Sequence, residues 1–157
     1  LHYHGGSFVS VTALDPDRPS FRKLVEWVSA NITGDVTLVQ AGAWNEDTVK
    51  CFTDQAGRQS RVAGQGKETQ MRALDSVLSG RPCTYLKMDV EGAEREAIAG
   101  AEKTIRQYAP KLNIAAYHRS EDFFQLPLLI HALQPSYRLY LRHHPYVPAW
   151  DTNLYAI

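Results

Sequence analysis

Apolar runs of strand length alternate with helical patterns along the first part of the chain. Residues 8–14 form a β-rich run that ends at Asp15-Pro16-Asp17, and Pro19 is well placed for the first turn of a helix. An i, i+3, i+4, i+7 apolar stripe then marks one face of that helix: Phe21, Leu24, Val25 and Val28. The pattern predicts a strand followed by an amphipathic helix.

The same alternation continues through the middle of the chain. Residues 36–39 predict a second strand. Residues 48–53 alternate like a strand with one exposed face, and we expect them to pair with residues 68–72. The polar, glycine-bearing stretch 54–66 predicts a loop, and residues 73–78 predict a turn of helix.

A short apolar strand then ends at a group of carboxylates. Residues 84–88 predict a buried strand that stops at Asp89 and turns through Gly92 into a helix. In an open α/β sheet, ligands gather at the carboxyl ends of strands. Asp89, Glu91 and Glu94 would cost free energy at such a point if they only had to pack. The alternative is that Asp89 or Glu91 caps the helix and the others are solvated.

The next segments predict a further strand between helices. Gly100 interrupts the apolar face that follows the carboxylates, so two short helices or one kinked helix are expected there. Residues 112–117 predict a strand that ends at His118. Pro127 is expected to open a helix that runs through Leu133.

Two final strands, residues 137–143 and 152–157, are joined by a short connection. Such a link permits an antiparallel hairpin but not a parallel crossover. Alternating strands and helices followed by this hairpin predict an α/β fold, with a doubly wound, mostly parallel sheet and an antiparallel edge.

Composition and charge narrow the class of protein. The 157 residues, 44% hydrophobic and 22% charged, suit a single globular domain over residues 1–157. The 17 basic and 17 acidic residues cancel, so neither nucleic acid nor a membrane is expected as a partner. Cys51 and Cys83 predict buried free thiols in a reducing compartment. With no apolar stretch of bilayer length and no secretory signal, we expect a cytoplasmic protein.

Several short sequence blocks occur in one order along the chain. The most specific is Lys87-Met88-Asp89-Val90-Glu91-Gly92-Ala93-Glu94, with Gly100-Ala101 downstream of it. The others are Ala13-Leu14-Asp15-Pro16-Asp17 with Phe21 and Leu24, Ala41-Gly42-Ala43-Trp44, Leu74-Asp75-Ser76-Val77-Leu78, Tyr117-His118 and Leu154-Tyr155-Ala156. In this order the blocks resemble the FkbM-type methyltransferases over almost the whole chain.

The resemblance implies a Rossmann-like class I methyltransferase fold and the cofactor S-adenosyl-L-methionine. It implies an O-methyltransferase that acts on a hydroxyl of a sugar or of a secondary metabolite, so the expected partner is a small-molecule acceptor. No metal is implied.

One motif of the family is missing from the expected place. The family begins with a strand and a glycine-rich turn of the type Asp-x-Gly-Ala, whereas Gly5-Gly6 precedes a strand and Gly64-Gln65-Gly66 lies in a polar stretch. We therefore expect a sheet that is N-terminally incomplete, and its open edge would favour a homo-oligomer. A non-catalytic Rossmann-like remnant or binding domain, which needs missing N-terminal sequence or a partner, is the alternative. A nicotinamide-dependent enzyme is disfavoured because the 87–94 block has no evident task there.

The cofactor-binding candidates follow two strands. Asp15 ends the first, where a carboxylate can accept hydrogen bonds from both hydroxyls of a ribose, although an Asp-Pro-Asp turn explains it as well. Ala43 and Trp44 follow the next strand, where an adenine ring needs an apolar wall, and Trp44 as a core residue is the alternative. Asp89 is expected to lie closest to the methyl group.

The catalytic candidates follow from the chemistry of methyl transfer to an alcohol, which needs an aligned acceptor oxygen and a base for its proton. Asp89 is the first candidate for orienting the acceptor or taking its proton, and Glu91 is the second for binding acceptor hydroxyls. His118 titrates near neutrality and suits the base, although a lone histidine at a strand end is commonly structural. Glu94 is expected to cap the helix or face solvent. The remaining histidine pairs have no convincing third ligand, so no metal site is expected.

Overall fold

The computed structural model of the chain describes residues 8–52, 67–144 and 151–157. The strands in these residues are β1 (Ser10–Leu14), β2 (Asp35–Val39), β3 (Gly42–Ala43), β4 (Thr48–Phe52), β5 (Lys67–Arg72), β6 (Tyr85–Met88), β7 (Lys111–Ala115), β8 (Leu139–His143) and β9 (Thr152–Ala156). The helices are α1 (Arg18–Asn31), α2 (Leu74–Leu78), α3 (Glu94–Ala99), α4 (Glu102–Tyr108) and α5 (Asp122–Leu133). The glycines at 5–6 and the loop predicted over 54–66 lie outside the described residues.

The chain forms two compact units, residues 1–42 and 43–157. In the first unit, β1 and β2 pair in parallel, with Ser10 opposite Asp35, and α1 connects them. Parallel strands need such a crossover, so the predicted strand–helix–strand order is confirmed. The single domain expected over residues 1–157 stays a prediction.

Helix α1 begins where the sequence places it. The carboxylate of Asp17 accepts a hydrogen bond from the backbone N–H of Ser20 at 3.0 Å, and Pro19 lies in the first turn. The apolar stripe is present, but among the described residues it is only partly covered: Phe21, Leu24 and Val28 are half-buried and Val25 is exposed.

The second unit contains two sheets. In the smaller sheet β5 lies between β3 and β4. Strand β4 pairs with β5, as the pattern predicts, and the pairing is antiparallel. The larger sheet has the order β6-β7-β9-β8. Strands β6 and β7 are parallel, while β9 runs antiparallel to both β7 and β8. The α/β class and the terminal hairpin are confirmed, and the sheets are mixed. The continuous, mostly parallel Rossmann-like sheet and its incomplete N-terminal side stay predictions.

The core of the second unit contains side chains from three helices and three strands. Its large, fully buried apolar side chains include Ile98 of α3, Ile105 of α4, Leu126 and Ile130 of α5, Met71 of β5, Leu112 and Ile114 of β7, and Leu154 of β9. Burial of each such side chain contributes roughly 1.5–3 kcal/mol. This core makes the ends of the neighbouring β6 and β7 a firm base for a site.

Helix α5 begins earlier than the sequence analysis expects. It starts at Asp122, and Pro127 lies inside it. Asp122, Leu126, Ile130 and Leu133 are buried along one face. Burial of this face compensates for the backbone hydrogen bond that an internal proline removes, so Pro127 does not mark the start of the helix.

Helices α3 and α4 are separate, which confirms the alternative of two short helices. Gly100 lies between them, and a Cβ atom at this position would be 1.9 Å from the backbone oxygen of Trp44. Only glycine permits this close approach of two backbone segments.

Cys51 and Cys83 are free thiols, as predicted, but both are half-exposed rather than buried. The reason is their position, because Cys51 lies on the edge strand β4 and Cys83 precedes the edge strand β6. None of the helices in the described ranges is long and apolar enough to cross a membrane.

Candidate active site

The candidate site lies at the carboxyl ends of two neighbouring strands. Asp89 directly follows β6, and His118 is the third residue after the end of β7. Because β6 and β7 are parallel neighbours, their carboxyl ends meet at the same edge of the sheet. This is the position that the sequence predicts for Asp89.

A tight left-handed turn connects β6 to α3. Glu91 has a φ of 54° and Gly92 a φ of 95°. Glycine adopts this conformation readily, whereas in Glu91 it costs on the order of 1 kcal/mol. A Cβ atom at position 92 would also lie 3.3 Å from Nε of Arg119. The turn therefore depends on glycine and holds Glu91 in a strained backbone conformation.

Three carboxylates surround the imidazole of His118. Its Nδ1 atom lies 2.8 Å from Oε1 of Glu94. Its Nε2 atom lies 3.5 Å from Oδ1 of Asp89 and 3.4 Å from Oε2 of Glu91. Only 10% of the imidazole is exposed. The structure thus brings together Asp89, Glu91 and His118, the three residues that the sequence analysis selects for catalysis.

Glu94 does not face solvent, which is one of the two positions that the sequence predicts for it. The residue is 1% exposed, and Oε1 accepts a hydrogen bond from the backbone N–H of Val90 at 3.0 Å. Helix α3 starts immediately after the turn, so its first side chain points toward the strand ends. Charge alone suggests exposure, which is why the burial was missed. The sequence did contain one indication that Glu94 belongs to the site, because Glu94 lies in the 87–94 block, the most specific of the family blocks.

Tyr117 is a site residue that the sequence analysis did not select. Its hydroxyl donates to the carboxylate of Asp89, with distances of 3.1 and 3.3 Å to the two oxygens. Its ring centroid lies 4.3 Å from that of His118. Burial and then the Asp89 charge raise the pKa of Tyr117, so the phenol stays protonated and can donate. The sequence indicated Tyr117 only through the Tyr117-His118 block, which is one of the blocks that resemble the family.

The charges of the site favour a protonated imidazole. Burial lowers the pKa of His118, but the hydrogen bond and charge of Glu94, with the charges of Glu91 and Asp89, outweigh burial and raise it above its ordinary value. Burial raises the pKa of Glu94, but His118 and the Val90 N–H together bring it below its ordinary value. Glu94 and His118 therefore form a carboxylate–imidazolium pair below the raised pKa of His118.

Asp122 adds a second buried carboxyl group to the second unit. It is 1% exposed, and within the described ranges neither side-chain oxygen has a hydrogen-bond partner. Burial and the charge of Glu94 raise the pKa of Asp122, although Arg119 and Arg95 oppose this. The group is therefore more easily protonated than an ordinary aspartate.

Of the cofactor candidates, Asp15 lies at a strand end as expected, whereas Ala43 is part of the short strand β3 and Trp44 follows that strand. In the first unit, Asp15 follows β1, is half-buried, and accepts the backbone N–H of Asp17 through Oδ1 at 2.8 Å. It is thus both a strand-end carboxylate and part of the Asp-Pro-Asp turn. In the second unit, Ala43 and Trp44 are half-buried, and Nζ of Lys50 lies 5.4 Å from the centroid of the Trp44 ring.

Comparison with known proteins gives two matches. A family model described as the Methyltransferase FkbM domain matches residues 6–148. The chain is also similar to a solved structure, "Crystal structure of Methyltransferase FkbM from Methylobacillus flagellatus KT", with a TM-score of 0.80 and 30% sequence identity. That match covers 99% of this chain and 38% of the other, so this chain spans well under half of the solved relative. None of the curated proteins matches the sequence at a significant level.

Proposed function

Since the chain belongs to the FkbM methyltransferase family, we propose an S-adenosyl-L-methionine-dependent O-methyltransferase that acts on a hydroxyl of a sugar or secondary metabolite. The observation that carries the proposal is the meeting of Asp89, Glu91 and His118 at the ends of two parallel strands. Carboxylates and an imidazole are the groups that bind and deprotonate an alcohol. The acceptor is a small molecule, and no metal is required by this chemistry.

In this proposal, the acceptor hydroxyl binds beside the exposed carboxylates of Asp89 and Glu91. Their side chains are 41% and 36% exposed, whereas the imidazole of His118 is 10% exposed. Tyr117 fixes the Asp89 carboxylate by donating to it, and the remaining lone pairs of Asp89 can accept the acceptor O–H. Asp89 orients the acceptor, and Glu91 binds a neighbouring hydroxyl.

His118 acts as the base. In its neutral form, Nδ1–H is held by Glu94, and the lone pair of Nε2 faces the acceptor side. With the cofactor bound, the acceptor O–H bond would break as Nε2 takes the proton, and the oxygen would bond to the methyl carbon while the carbon–sulfur bond breaks and a neutral thioether leaves. The cofactor supplies this methyl group on a positively charged sulfur, which needs no further activation.

The residues proposed to hold the cofactor fit it chemically. The Oδ2 atom of Asp15 accepts no hydrogen bond from the described part of the chain, so it remains available to a ribose hydroxyl. The half-buried Trp44 and Ala43 offer apolar surface to an adenine ring, while Lys50 lies over the Trp44 ring. Asp89 is the proposed residue nearest the methyl group.

A non-catalytic binding role is the second candidate. It is favoured by the sequence, in which an Asp-x-Gly-Ala turn is not found in the expected place. In this alternative the Rossmann-like region needs further sequence or a partner to bind the cofactor.

The proposed function is tested by methyl transfer from labelled S-adenosylmethionine to a panel of sugars and polyketide-type alcohols. We expect Asp89→Asn and His118→Ala each to reduce turnover at least ~100-fold, since a positioned acid or base contributes about that much. Glu102→Gln, in an exposed residue of α4, is the control. Undiminished turnover in both site variants would sink the proposed mechanism, and no transfer to any acceptor would favour the binding role.

A further inference from the structure

Glu94 is the most deeply buried of the three carboxylates around His118. Its side chain has no exposed surface, whereas those of Asp89 and Glu91 are more than a third exposed. Burying a carboxylate is costly unless it is paired and hydrogen-bonded. Here a single oxygen, Oε1, receives both the Val90 N–H and the His118 ring, and Oε2 has no hydrogen-bond partner among the described residues.

The direction of the hydrogen bond between the two side chains follows from their chemistry. An ionised carboxylate can only accept, so Nδ1 of His118 must carry the proton that it shares with Glu94. The other ring nitrogen, Nε2, then points toward the side where Asp89 and Glu91 are exposed.

We propose that Glu94 is a positioning residue, which holds His118 through Nδ1–H and thereby presents Nε2 to the acceptor. Buried carboxylates orient a catalytic or metal-binding imidazole in this way in many proteins, where they select the ring tautomer. The role of Nε2 as the base rests on the proposed function. The tautomer and the raised proton affinity do not, because they follow from the Glu94 contact.

Several titratable or charged groups face His118 or its partner Glu94, from each element packed against them. These are Asp89 and Glu91 from the turn after β6, Glu94 itself from α3, the neutral phenol of Tyr117 beside His118, and Asp122 of α5, whose carboxyl is itself influenced by Arg95 and Arg119. Glu94 is the one in direct hydrogen bond with the imidazole. Its removal should therefore change the titration of His118 more than removal of the exposed Glu91.

The test is a titration of His118 by NMR in Glu94→Gln. The amide oxygen of glutamine can keep both hydrogen bonds of Oε1, so the substitution removes the charge with little change in shape. With ¹⁵N-labelled histidine, and His118→Ala to assign the signal, we expect the pKa of His118 to fall by about 1–2 units in Glu94→Gln. Glu91→Gln should lower it less, and Glu102→Gln should leave it unchanged. An unchanged or higher pKa in folded Glu94→Gln would overturn the proposal.

A second measurement needs no substitution of Glu94. The ¹⁵N shifts of neutral His118 in the unsubstituted protein distinguish its tautomers, and we expect the proton on Nδ1. A proton on Nε2 would equally overturn the proposal. Both measurements are independent of turnover. If they give the expected results but the protein transfers no methyl group, the proposed function is rejected and Glu94 remains the residue that positions His118. In an active protein, Glu94→Gln should also move the acid limb of the kcat/KM profile to lower pH and reduce its plateau.

Discussion

His118 has a carboxylate beside each of its ring nitrogens, and this decides the chemistry that it can perform. Glu94 binds Nδ1, while Asp89 and Glu91 lie near Nε2. A residue with an ordinary pKa close to neutrality is sensitive to such neighbours. The sequence places His118 at a strand end but does not show the three charges around it.

The pH dependence of methyl transfer should follow His118. Only the neutral imidazole accepts a proton, and the pKa of His118 is raised by the Glu94 hydrogen bond and the surrounding carboxylates. We therefore expect kcat/KM to rise with pH through a midpoint above about 6.5, the usual histidine value. The profile is measured from pH 5 to 9, with His118→Ala as comparison. The same acid limb in His118→Ala would assign it to another group.

Asp122 should destabilise the folded protein when it is ionised. Its raised pKa means that the native state binds the proton more tightly than the unfolded chain, so stability is lost as pH rises through the folded pKa. We expect Asp122→Asn to increase the free energy of unfolding by on the order of 1 kcal/mol at pH 7.

The gain in stability from Asp122→Asn should disappear below pH 3.8, the ordinary pKa of the carboxyl, because Asp122 is then protonated in both the folded and the unfolded protein. Urea unfolding at pH 7 and at pH 3 measures both values. Glu46→Gln, in an exposed residue outside α5, is the control. A loss of stability in Asp122→Asn at pH 7 would show that the carboxylate has a stabilising partner.

Secondary elements were predicted well where one local pattern decides them. The β4–β5 pairing, the terminal hairpin and the break between α3 and α4 all follow from alternation or from a helix-breaking glycine. The start of α5 was wrong because Pro127 is a local signal, while the burial of Leu126 and Ile130 is decided by neighbouring elements.

The packing of α3 and α4 makes Gly100 difficult to replace. A Cβ atom there would overlap the backbone oxygen of Trp44, at 1.9 Å, and a backbone atom cannot rotate away. We expect Gly100→Ala to cost about 3 kcal/mol or more of stability. Gly80→Ala is the comparison, because that position is open and only its φ of +78° opposes a side chain, at about 1 kcal/mol. If urea unfolding shows equal losses of unfolding free energy in the two variants, the backbone at Trp44 moves to make room for the side chain.

At the level of the whole protein, the proposed function requires that this chain bind the cofactor. The chain forms two compact units, and the cofactor candidates are divided between them, with Asp15 in the first and Trp44 in the second. Family membership supports a methyltransferase, while the solved relative is much longer than this chain.

Calorimetric titration with S-adenosylhomocysteine, the demethylated product, addresses this directly. We expect saturable binding with a micromolar Kd, on the order of −8 kcal/mol. Asp15→Asn should weaken it by about 1–2 kcal/mol if the carboxylate accepts the ribose hydroxyls. Glu46→Gln, in an exposed residue, is the control. Absence of binding would assign cofactor binding to a longer protein and support the non-catalytic alternative for this chain.

The sequence by itself determined the α/β class, the order of most elements, the family, and the position of Asp89 at the end of a strand. These follow from local periodicity and from short blocks of neighbouring residues, which need no knowledge of long-range contacts. Only the tertiary structure decided that Glu94 and Asp122 are buried, and that His118 meets a carboxylate 24 positions earlier in the chain. Whether a charge is buried depends on what packs over it, and the parallel pairing of β6 with β7 brings these distant residues together.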